Sequence, residues 1–383
     1  MGTSAQPRPE PHQIIRVFLC GDVMTGRGID QILPHPCNPE LHEDWVQSAS
    51  DYVRLAEQVN GKIPAHVAPS YIWGAALDQL NQMRPDARVI NLETSVTRSG
   101  AYFPKDINYR MSPENAECLL AAGIDCCVLG NNHVLDWERA GLLETLATLE
   151  RLRIKSAGAG RNLAQARAPA ILEIEGKGRV AVFSFASVTS GVPRNWAATH
   201  KGAGVNLLPD FTNETAAEIA RQIERVRQSG DVIIVSIHWG PNWGYEILEE
   251  HRSFAHALVD QAHVSVVHGH SSHHAKAIEI YKNKLILYGC GDFLNDYEGI
   301  SGYEEFRGDL TLMYFAGFNS LTGHLFDLEL VPLQMRRFQL VPASGADILW
   351  LWRTLDRESG RFGAHIRLKP EGRLTASRFE ADS

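Results

Sequence analysis

Six short apolar segments of the chain each end in a residue that can bind a metal ion or transfer a proton. The segments are rich in β-branched residues and apolar on both faces, which is typical of buried strands in an α/β sheet. They span 14–20, followed by Asp22; 87–90, followed by Glu93; 124–129, followed by Asn132 and His133; 231–237, followed by His238; 263–267, followed by His268 and His270; and 285–288, followed by Asp292. One aspartate after a strand is ordinarily a turn residue or a helix cap. Six such strand ends instead predict a single site, because the carboxyl ends of parallel strands meet at one edge of a sheet.

Helical patterns separate most of these strands. Apolar residues recur at spacings of three and four in the segments 113–122, 138–152, 215–228 and 249–261. Gly123 and Gly230 supply two C-terminal stops. Alternation of strand and helix predicts parallel pairing with right-handed crossovers.

Other segments predict antiparallel pairing. Two hairpins are indicated by strand patterns around short turns, at 170–175 with 179–185 and at 277–281 with 284–288. Two more strands are expected at 310–315 and 324–330. The mixture predicts an α/β fold of two packed sheets with helices outside. The proline-containing stretch 34–71 shows no regular pattern and is expected to be a lid or a wall of the site.

The length of 383 residues suits one large domain, because no second set of motifs and no linker is present. We expect a flexible N-terminus at 1–13, a catalytic domain at 14–332, and a C-terminal helical extension and tail at 333–383. The formal net charge of −8, without a basic stripe, excludes a nucleic-acid footprint. No apolar run reaches the roughly 18 residues of a membrane span, and no signal peptide is evident.

The chain has six cysteines and no C-x-x-C pair. Four of them lie in or beside apolar strand patterns, which favours buried free thiols over disulfides or a zinc knuckle. Free thiols are typical of a reducing compartment, so the cytoplasm is the expected location.

Histidines are concentrated in one part of the sequence. Eight of the sixteen lie between His238 and His274. A lone histidine at a strand end is more often a hydrogen-bonding residue than a ligand, but a cluster together with Asp, Glu and Asn favours a metal site. Imidazole with carboxylate and amide oxygens suits Mn, Fe or Zn, and an oxygen-dominated subset suits Ca or Mg.

Six motifs in order resemble those of the CapA/PgsA family, the capsule and poly-γ-glutamate synthesis group of the calcineurin-like metallophosphoesterase superfamily. The motifs are GDVMTGR (21–27), NLETSVT (91–97), GNNHVLDW (130–137), SIHWGPNW (236–243), HGHSSHH (268–274) and YGCGDFLNDYEG (288–299). The resemblance covers roughly residues 14 to 332. It implies a four-layer αββα sandwich in which two mixed sheets pack face to face.

The resemblance also implies roles for individual residues. The implied metal ligands are Asp22, Glu93, Asn132, His238, His270 and His273. The implied acid/base residues are His133 with its orienting partner Asp136, and the loop histidines His270 and His273 with Asp292. The family pattern departs at Met24, where a ligand histidine is usual, and at 91–93, where Gly-Asp-x-x-Asp is usual. The expectation is therefore one or two divalent ions.

Three functions are compatible with this site. The first is metal-assisted acid/base chemistry on a peptide or polyglutamate-like amide, either hydrolysis or epimerisation, since the resembled family includes a metal-dependent epimerase of a lasso-peptide precursor. The second is phosphoester hydrolysis, in which Arg27 holds a phosphate; Arg27 fits an ordinary salt bridge equally well. The third is a non-catalytic role in polyglutamate or capsule synthesis. Trp243 is expected to line an aromatic substrate pocket.

Overall fold

The computed structural model describes residues 13–378. Its strands are β1 (Ile14–Val23), β2 (Ala87–Leu92), β3 (Ser95–Val96), β4 (Arg110–Met111), β5 (Cys126–Val128), β6 (Lys155–Ala157), β7 (Ala159–Gly160), β8 (Ala170–Ile174), β9 (Gly178–Ala186), β10 (Gly204–Val205), β11 (Asp231–His238), β12 (Val266–His270), β13 (Ile278–Tyr281), β14 (Lys284–Leu287), β15 (Asp292–Leu294), β16 (Leu310–Asn319), β17 (Leu325–Met335), β18 (Leu340–Pro342), β19 (Ala364–Leu368) and β20 (Leu374–Arg378). Its helices are α1 (Arg27–Ile32), α2 (Ala49–Asn60), α3 (Ala75–Met83), α4 (Glu117–Ala121), α5 (Glu138–Arg151), α6 (Leu163–Arg167), α7 (Asn213–Glu224), α8 (Glu249–Ala262) and α9 (Gly345–Gly360).

Two mixed sheets form the centre of the molecule. The larger has the order β19-β20-β17-β16-β1-β2-β5-β6, with β15 beside β1 and β18 beside β17, and the smaller has the order β13-β14-β12-β11-β9-β8. The larger sheet contains the parallel strands β1, β2, β5 and β6, and the smaller sheet contains the parallel strands β9, β11, β12 and β14. Apart from β15, the other neighbouring strands of both sheets pair antiparallel. Both predicted hairpins are confirmed as β8–β9 and β13–β14.

The alternation of side chains along β1 explains the layering. Val17 and Leu19 point between the sheets, where they pack with Val180 and Ile234 of the smaller sheet. Phe18 of the same strand points the other way, into a core shared with helices α1 to α5. On the outer face of the smaller sheet, α7 and α8 cover residues of β9 and β11. The predicted αββα sandwich is confirmed.

The stretch 34–71, expected to be irregular, contains helix α2. Ser48 caps its N-terminus by accepting a hydrogen bond from Ser50 N, and its side chains at Ala49, Tyr52 and Ala56 are buried on one face. The apolar spacing of three and four is therefore present, but the surrounding prolines obscured it. The correction is that this stretch is partly helical.

The C-terminal segment combines a helix with strands. Helix α9 lies in the predicted extension, and its Leu351 and Leu355 enter the core between the sheets. After it, β19 and β20 form a hairpin that joins the larger sheet through β17. The expected flexible residues 1–12 and the end of the tail, 379–383, lie outside the described residues.

All six cysteines are buried and free, as expected: Cys20, Cys37, Cys118, Cys126, Cys127 and Cys290. Across residues 13–378, none of the helices has both the length and the apolar character that crossing a bilayer requires.

Candidate metal and acid/base site

The first part of the site lies where β1 passes between β2 and β15. Asp22 is opposite Asn91 on one side and opposite Asp292 on the other. A Cβ atom at Gly21 would lie 1.6 Å from the carbonyl oxygen of Gly291, so only glycine permits the strands to approach this closely. The close approach brings two carboxylates from distant parts of the sequence side by side.

The smaller sheet contributes histidines from two adjacent strands. His238 at the end of β11 is directly opposite His270 at the end of β12. Their Nδ1 atoms lie 2.7 Å apart, and Asn132 Oδ1 lies 3.0 Å from His238 Nε2. After β12 the chain turns through Ser271, whose φ of 104° is rare for a residue with a side chain. Its backbone N–H donates to Asp22 Oδ2, which ties the histidine loop to β1.

Two buried carboxylates on the larger sheet face this histidine group. Asn91 Nδ2 donates to Asp22 Oδ1 at 2.8 Å and to Glu93 Oε2 at 2.9 Å. Burial, reinforced by the charge of Asp292, raises the pKa of Asp22 to about 7. Burial and the charge of Asp22 also raise the pKa of Glu93 well above its ordinary value. Both shifts have the same cause: negative charges are crowded in a site removed from water.

The donor set fits a divalent cation. Two groups hold ligand atoms within 4.8 Å of one another, Asp22 with His238 and His270, and Asp22 with His273 and Asp292. Glu93 Oε1 lies 3.7 Å from His238 Nε2, so Glu93 borders the first group. Oxygen and imidazole ligands suit first-row transition metals, and a cation would offset the crowded carboxylates. Because Asp22 belongs to both groups, the arrangement suits either one or two ions.

His133 and Asp136 form one histidine–carboxylate pair. His133 Nδ1 lies 2.7 Å from Asp136 Oδ2, and Asp136 also accepts a hydrogen bond from Tyr109 N. Lys105 forms an ion pair with Asp136 and donates to the carbonyl oxygen of Asn132. Burial, with a further contribution from Lys105, lowers the pKa of His133 to about 4 despite the charge of Asp136.

His273 and Asp292 form a second pair. His273 Nδ1 lies 2.8 Å from Asp292 Oδ1, and Asn295 Nδ2 donates to Asp292 Oδ2 at 2.8 Å. Burial alone would lower the pKa of His273, but the charge and hydrogen bond of Asp292, with Asp22 behind it, outweigh burial and raise it. The two pairs therefore shift the pKa values of their histidines in opposite directions.

His270 was assigned both a ligand and an acid/base role. It is fully buried, and its ring nitrogens face Ser236 Oγ at 2.8 Å and His238 Nδ1. Burial lowers the pKa of both His270 and His238 well below the ordinary value, so both imidazoles are neutral. A neutral imidazole without a carboxylate hydrogen-bond partner suits a metal ligand better than an acid/base residue.

Arg27, a proposed phosphate-binding residue, is only 2% exposed. Its guanidinium binds Asp296 through two nitrogens and also donates to Glu43 and Tyr52. The structure thus favours the salt-bridge interpretation of Arg27 over the phosphate interpretation.

Trp243 lies beside the site. Its ring centroid is 5.3 Å from that of His273, and it stacks on Tyr303 at 4.2 Å. Trp239, in contrast, is 3% exposed and packs in the core of the smaller sheet.

Several residues of the site were not predicted. Tyr109 and Tyr297 form T-shaped ring contacts with His133 and His273, and their hydroxyl oxygens are 2.8 Å apart. Lys105 comes from the irregular segment between β3 and β4. Tyr297 lies in the motif at 288–299, which assigned it no role, whereas neither periodicity nor a motif marks Lys105 and Tyr109. The contribution of all three residues depends on loops that only the fold brings together.

Comparison with known proteins agrees with the order of the motifs. Residues 16–297 match the family model described as "Bacterial capsule synthesis protein PGA_cap". The chain is 45% identical over 363 residues to a "Probable polyglutamine synthesis accessory protein" of Mycobacterium tuberculosis, covering 94% of this chain and 95% of that one. It is 22% identical over 355 residues to the "Capsule biosynthesis protein CapA" of Bacillus anthracis, covering 91% and 74%. A solved structure of a "novel phosphatase" from Mycoplasma pneumoniae aligns with a TM-score of 0.46 at 14% identity, covering 84% of this chain and 94% of that one.

Proposed function

The chain belongs to the bacterial capsule synthesis protein family PGA_cap, and we propose that it is a metal-dependent enzyme acting by acid/base chemistry on a polyglutamate-like peptide or amide. The observation that carries the proposal is the pair of His–Asp dyads with opposite pKa shifts on the two sides of the Asp22 and Glu93 carboxylates. Titratable pairs whose environments push their pKa values apart are the usual basis for dividing acid and base roles.

The residues that would hold the ion are those around Asp22. Asp22, Glu93, Asn132, His238 and His270 supply carboxylate, amide and imidazole atoms, and His273 with Asp292 borders the same centre. When bound, a divalent ion supplies Lewis-acid polarisation of a carbonyl oxygen.

The proton transfers are assigned to the two dyads. Asp136 holds the Nδ1 side of His133, so Nε2, which lies 3.9 Å from Glu93 Oε1, is the atom that accepts a proton. His273 is the proton donor, because Asp292 stabilises its charged form. In epimerisation, His133 removes a Cα proton and His273 returns one. In hydrolysis, His133 takes the proton of the water that attacks the carbonyl carbon, and His273 protonates the amine as the C–N bond breaks.

The choice of substrate comes from the relatives rather than from the site. Polyglutamine synthesis and capsule synthesis are the processes for which these relatives are named, which supports an amide-linked glutamate polymer. Trp243 and Tyr303, stacked beside His273, are proposed as a wall for its aliphatic backbone.

The test is incubation of the purified, Mn²⁺-supplemented protein with a synthetic oligo-γ-glutamate in deuterium oxide. Cleaved products support hydrolysis, and deuterium at Cα without cleavage supports epimerisation. His133→Asn should abolish either signal, whereas the matched surface change His200→Asn should preserve it.

Two results would contradict the proposal. Release of phosphate from an aryl phosphate, with no change in the peptide, would assign the site to phosphoester chemistry. The absence of both reactions in a metal-loaded protein would support the non-catalytic accessory role.

A further inference from the structure

A chain of buried hydrogen bonds runs from the backbone of β1 to the proposed metal centre. His268 Nε2 lies 2.8 Å from the carbonyl oxygen of Cys20, and His268 Nδ1 lies 3.1 Å from Ser236 Oγ. Ser236 Oγ in turn lies 2.8 Å from His270 Nε2. Ser236, His268 and His270 are each 0% exposed. We propose that Ser236 and His268 are positioning residues that determine which ring nitrogen of His270 carries its proton.

The direction of each hydrogen bond follows from the one before it. A carbonyl oxygen can only accept, so His268 Nε2 must carry a hydrogen. Both ring nitrogens of His268 are occupied by neutral groups in a fully buried position, so the ring is neutral and Nδ1 is an acceptor. The one hydroxyl hydrogen of Ser236 is therefore donated to His268.

The same reasoning reaches His270. Because the Ser236 hydroxyl has given its hydrogen to His268, its oxygen accepts from His270, and His270 carries its proton on Nε2. His270 Nδ1 is left with a lone pair. That atom lies 2.7 Å from His238 Nδ1 and 3.9 Å from Asp22 Oδ1, among the atoms proposed to hold the ion. The neutral ring of His238 has one N–H for its contacts with His270 Nδ1 and Asn132 Oδ1, so one of these contacts joins two acceptors, as neighbouring ligands of one cation do.

The strand register explains why these residues meet. Ser236 is opposite His268 and His238 is opposite His270 in the parallel pair β11 and β12. Residues two apart on a strand face the same side, so the four side chains form one row directed from the core toward the site. We call this row of hydrogen bonds from Cys20 through His268 and Ser236 to His270 the relay. It contains no loop residue and is as rigid as the sheet.

The expected consequence concerns metal affinity, so this inference rests on the proposed metal site. Groups that hold a ligand imidazole in its required tautomer typically change metal affinity by about 10- to 100-fold when removed. In Ser236→Ala, the Nε2–H of His270 loses its acceptor, and the opposite tautomer would place a hydrogen where the ligand lone pair is needed.

The first experiment reads the tautomer directly in the wild-type protein treated with a chelator. Nitrogen NMR of protein labelled with ¹⁵N-histidine distinguishes the two tautomers, and His270→Asn identifies the signal of His270. A protonated Nε2 is the expected result. A protonated Nδ1 overturns the proposal, and no variant of the relay has to fold for this result.

The second experiment titrates Mn²⁺ alone into the variants by calorimetry. Ser236→Ala is expected to bind about 10- to 100-fold more weakly, and Ser236→Thr, which keeps the hydroxyl, is expected to bind like the wild type. Ser265→Ala is the matched control, because it removes a buried hydroxyl just before β12 that accepts from the Ile233 N–H, away from the histidines.

The outcomes separate the inference from the function on which it rests. Equal affinity in Ser236→Ala and the wild type overturns the relay while leaving the metal site standing. A wild type that binds no Mn²⁺ refutes the proposed metal site, and the NMR result then decides the relay by itself.

Discussion

The two His–Asp pairs have almost the same geometry and opposite electrostatics. The Nδ1-to-carboxylate distances are 2.7 Å for His133 with Asp136 and 2.8 Å for His273 with Asp292. Each imidazole also forms a T-shaped contact with a tyrosine ring. Yet the pKa of His133 is lowered to about 4, whereas the pKa of His273 is raised.

The difference between the two pKa shifts arises from the charged groups that lie next to each histidine–carboxylate pair. Burial acts against the charged form of both imidazoles, and each has a carboxylate that favours it. Lys105 pairs with Asp136 and opposes a charge on His133, whereas Asp22 stands near His273 and adds to the effect of Asp292. The length of the histidine–carboxylate hydrogen bond therefore does not decide whether the histidine is an acid or a base. The charge beside the carboxylate does.

The largest expected effect comes from removing either imidazole. His133→Asn and His273→Asn should each lower kcat by about 10²- to 10⁴-fold, the usual contribution of a general acid or base. Steady-state kinetics on the oligo-γ-glutamate substrate would measure this, with His200→Asn as the control. If only one variant loses activity, the two pairs do not share the reaction.

A smaller effect is expected from removing the lysine that makes the surroundings of His133 differ from those of His273. Lys105→Met should lower activity about 10- to 100-fold, as loss of a supporting group around a functional residue typically does. Because Lys105 lowers the pKa of His133, the variant should raise that pKa and shift the acidic limb of the pH profile to higher pH. If the acidic limb of the pH profile does not move, Lys105 does not account for the lowered pKa of His133.

A histidine outside both pairs provides a reference for burial without a carboxylate partner. Burial, with a contribution from Lys276, lowers the pKa of His251 to about 4, while its ring stacks on Trp239 at 4.8 Å. The unfolded chain, with a pKa near 6.5, then binds more protons, so stability falls as pH falls below about 6.5 and levels off below about 4. The loss at pH 5 is about 2 kcal/mol. In chelator-treated protein, urea unfolding of His251→Phe should show a shallower decline than the wild type; parallel curves would argue against the burial effect.

The smallest expected effect concerns the contact between the two tyrosines that lie beside the His–Asp pairs. Tyr297→Phe removes the hydroxyl that meets Tyr109 at 2.8 Å, and loss of one such hydrogen bond should cost about 0.5–1.5 kcal/mol of unfolding free energy. Catalytic activity should change only a few-fold. A loss as large as that of His273→Asn would mean that the tyrosines take part in proton transfer.

Much of the fold was readable in the sequence, because periodicity and strand-end residues are local. Helices α5, α7 and α8 and both hairpins have sequence signals within a few residues of their bounds. Helix α2 was missed because prolines surround it, although its Ser48 cap and apolar face are ordinary signals. The β19–β20 hairpin was missed because its strands are short and are recruited by β17.

For the site, the sequence by itself determined which chemical groups stand at the strand ends, since Asp22, Glu93, His238 and His270 follow apolar runs whose ends must share an edge. Only the tertiary structure decided what those groups do. The partner of Asp136 is a lysine from a distant loop, Arg27 is occupied by Asp296, and Ser236 lies between two histidines. Protonation states depend on burial and on charges a few ångströms away, and those distances exist only after the chain has folded.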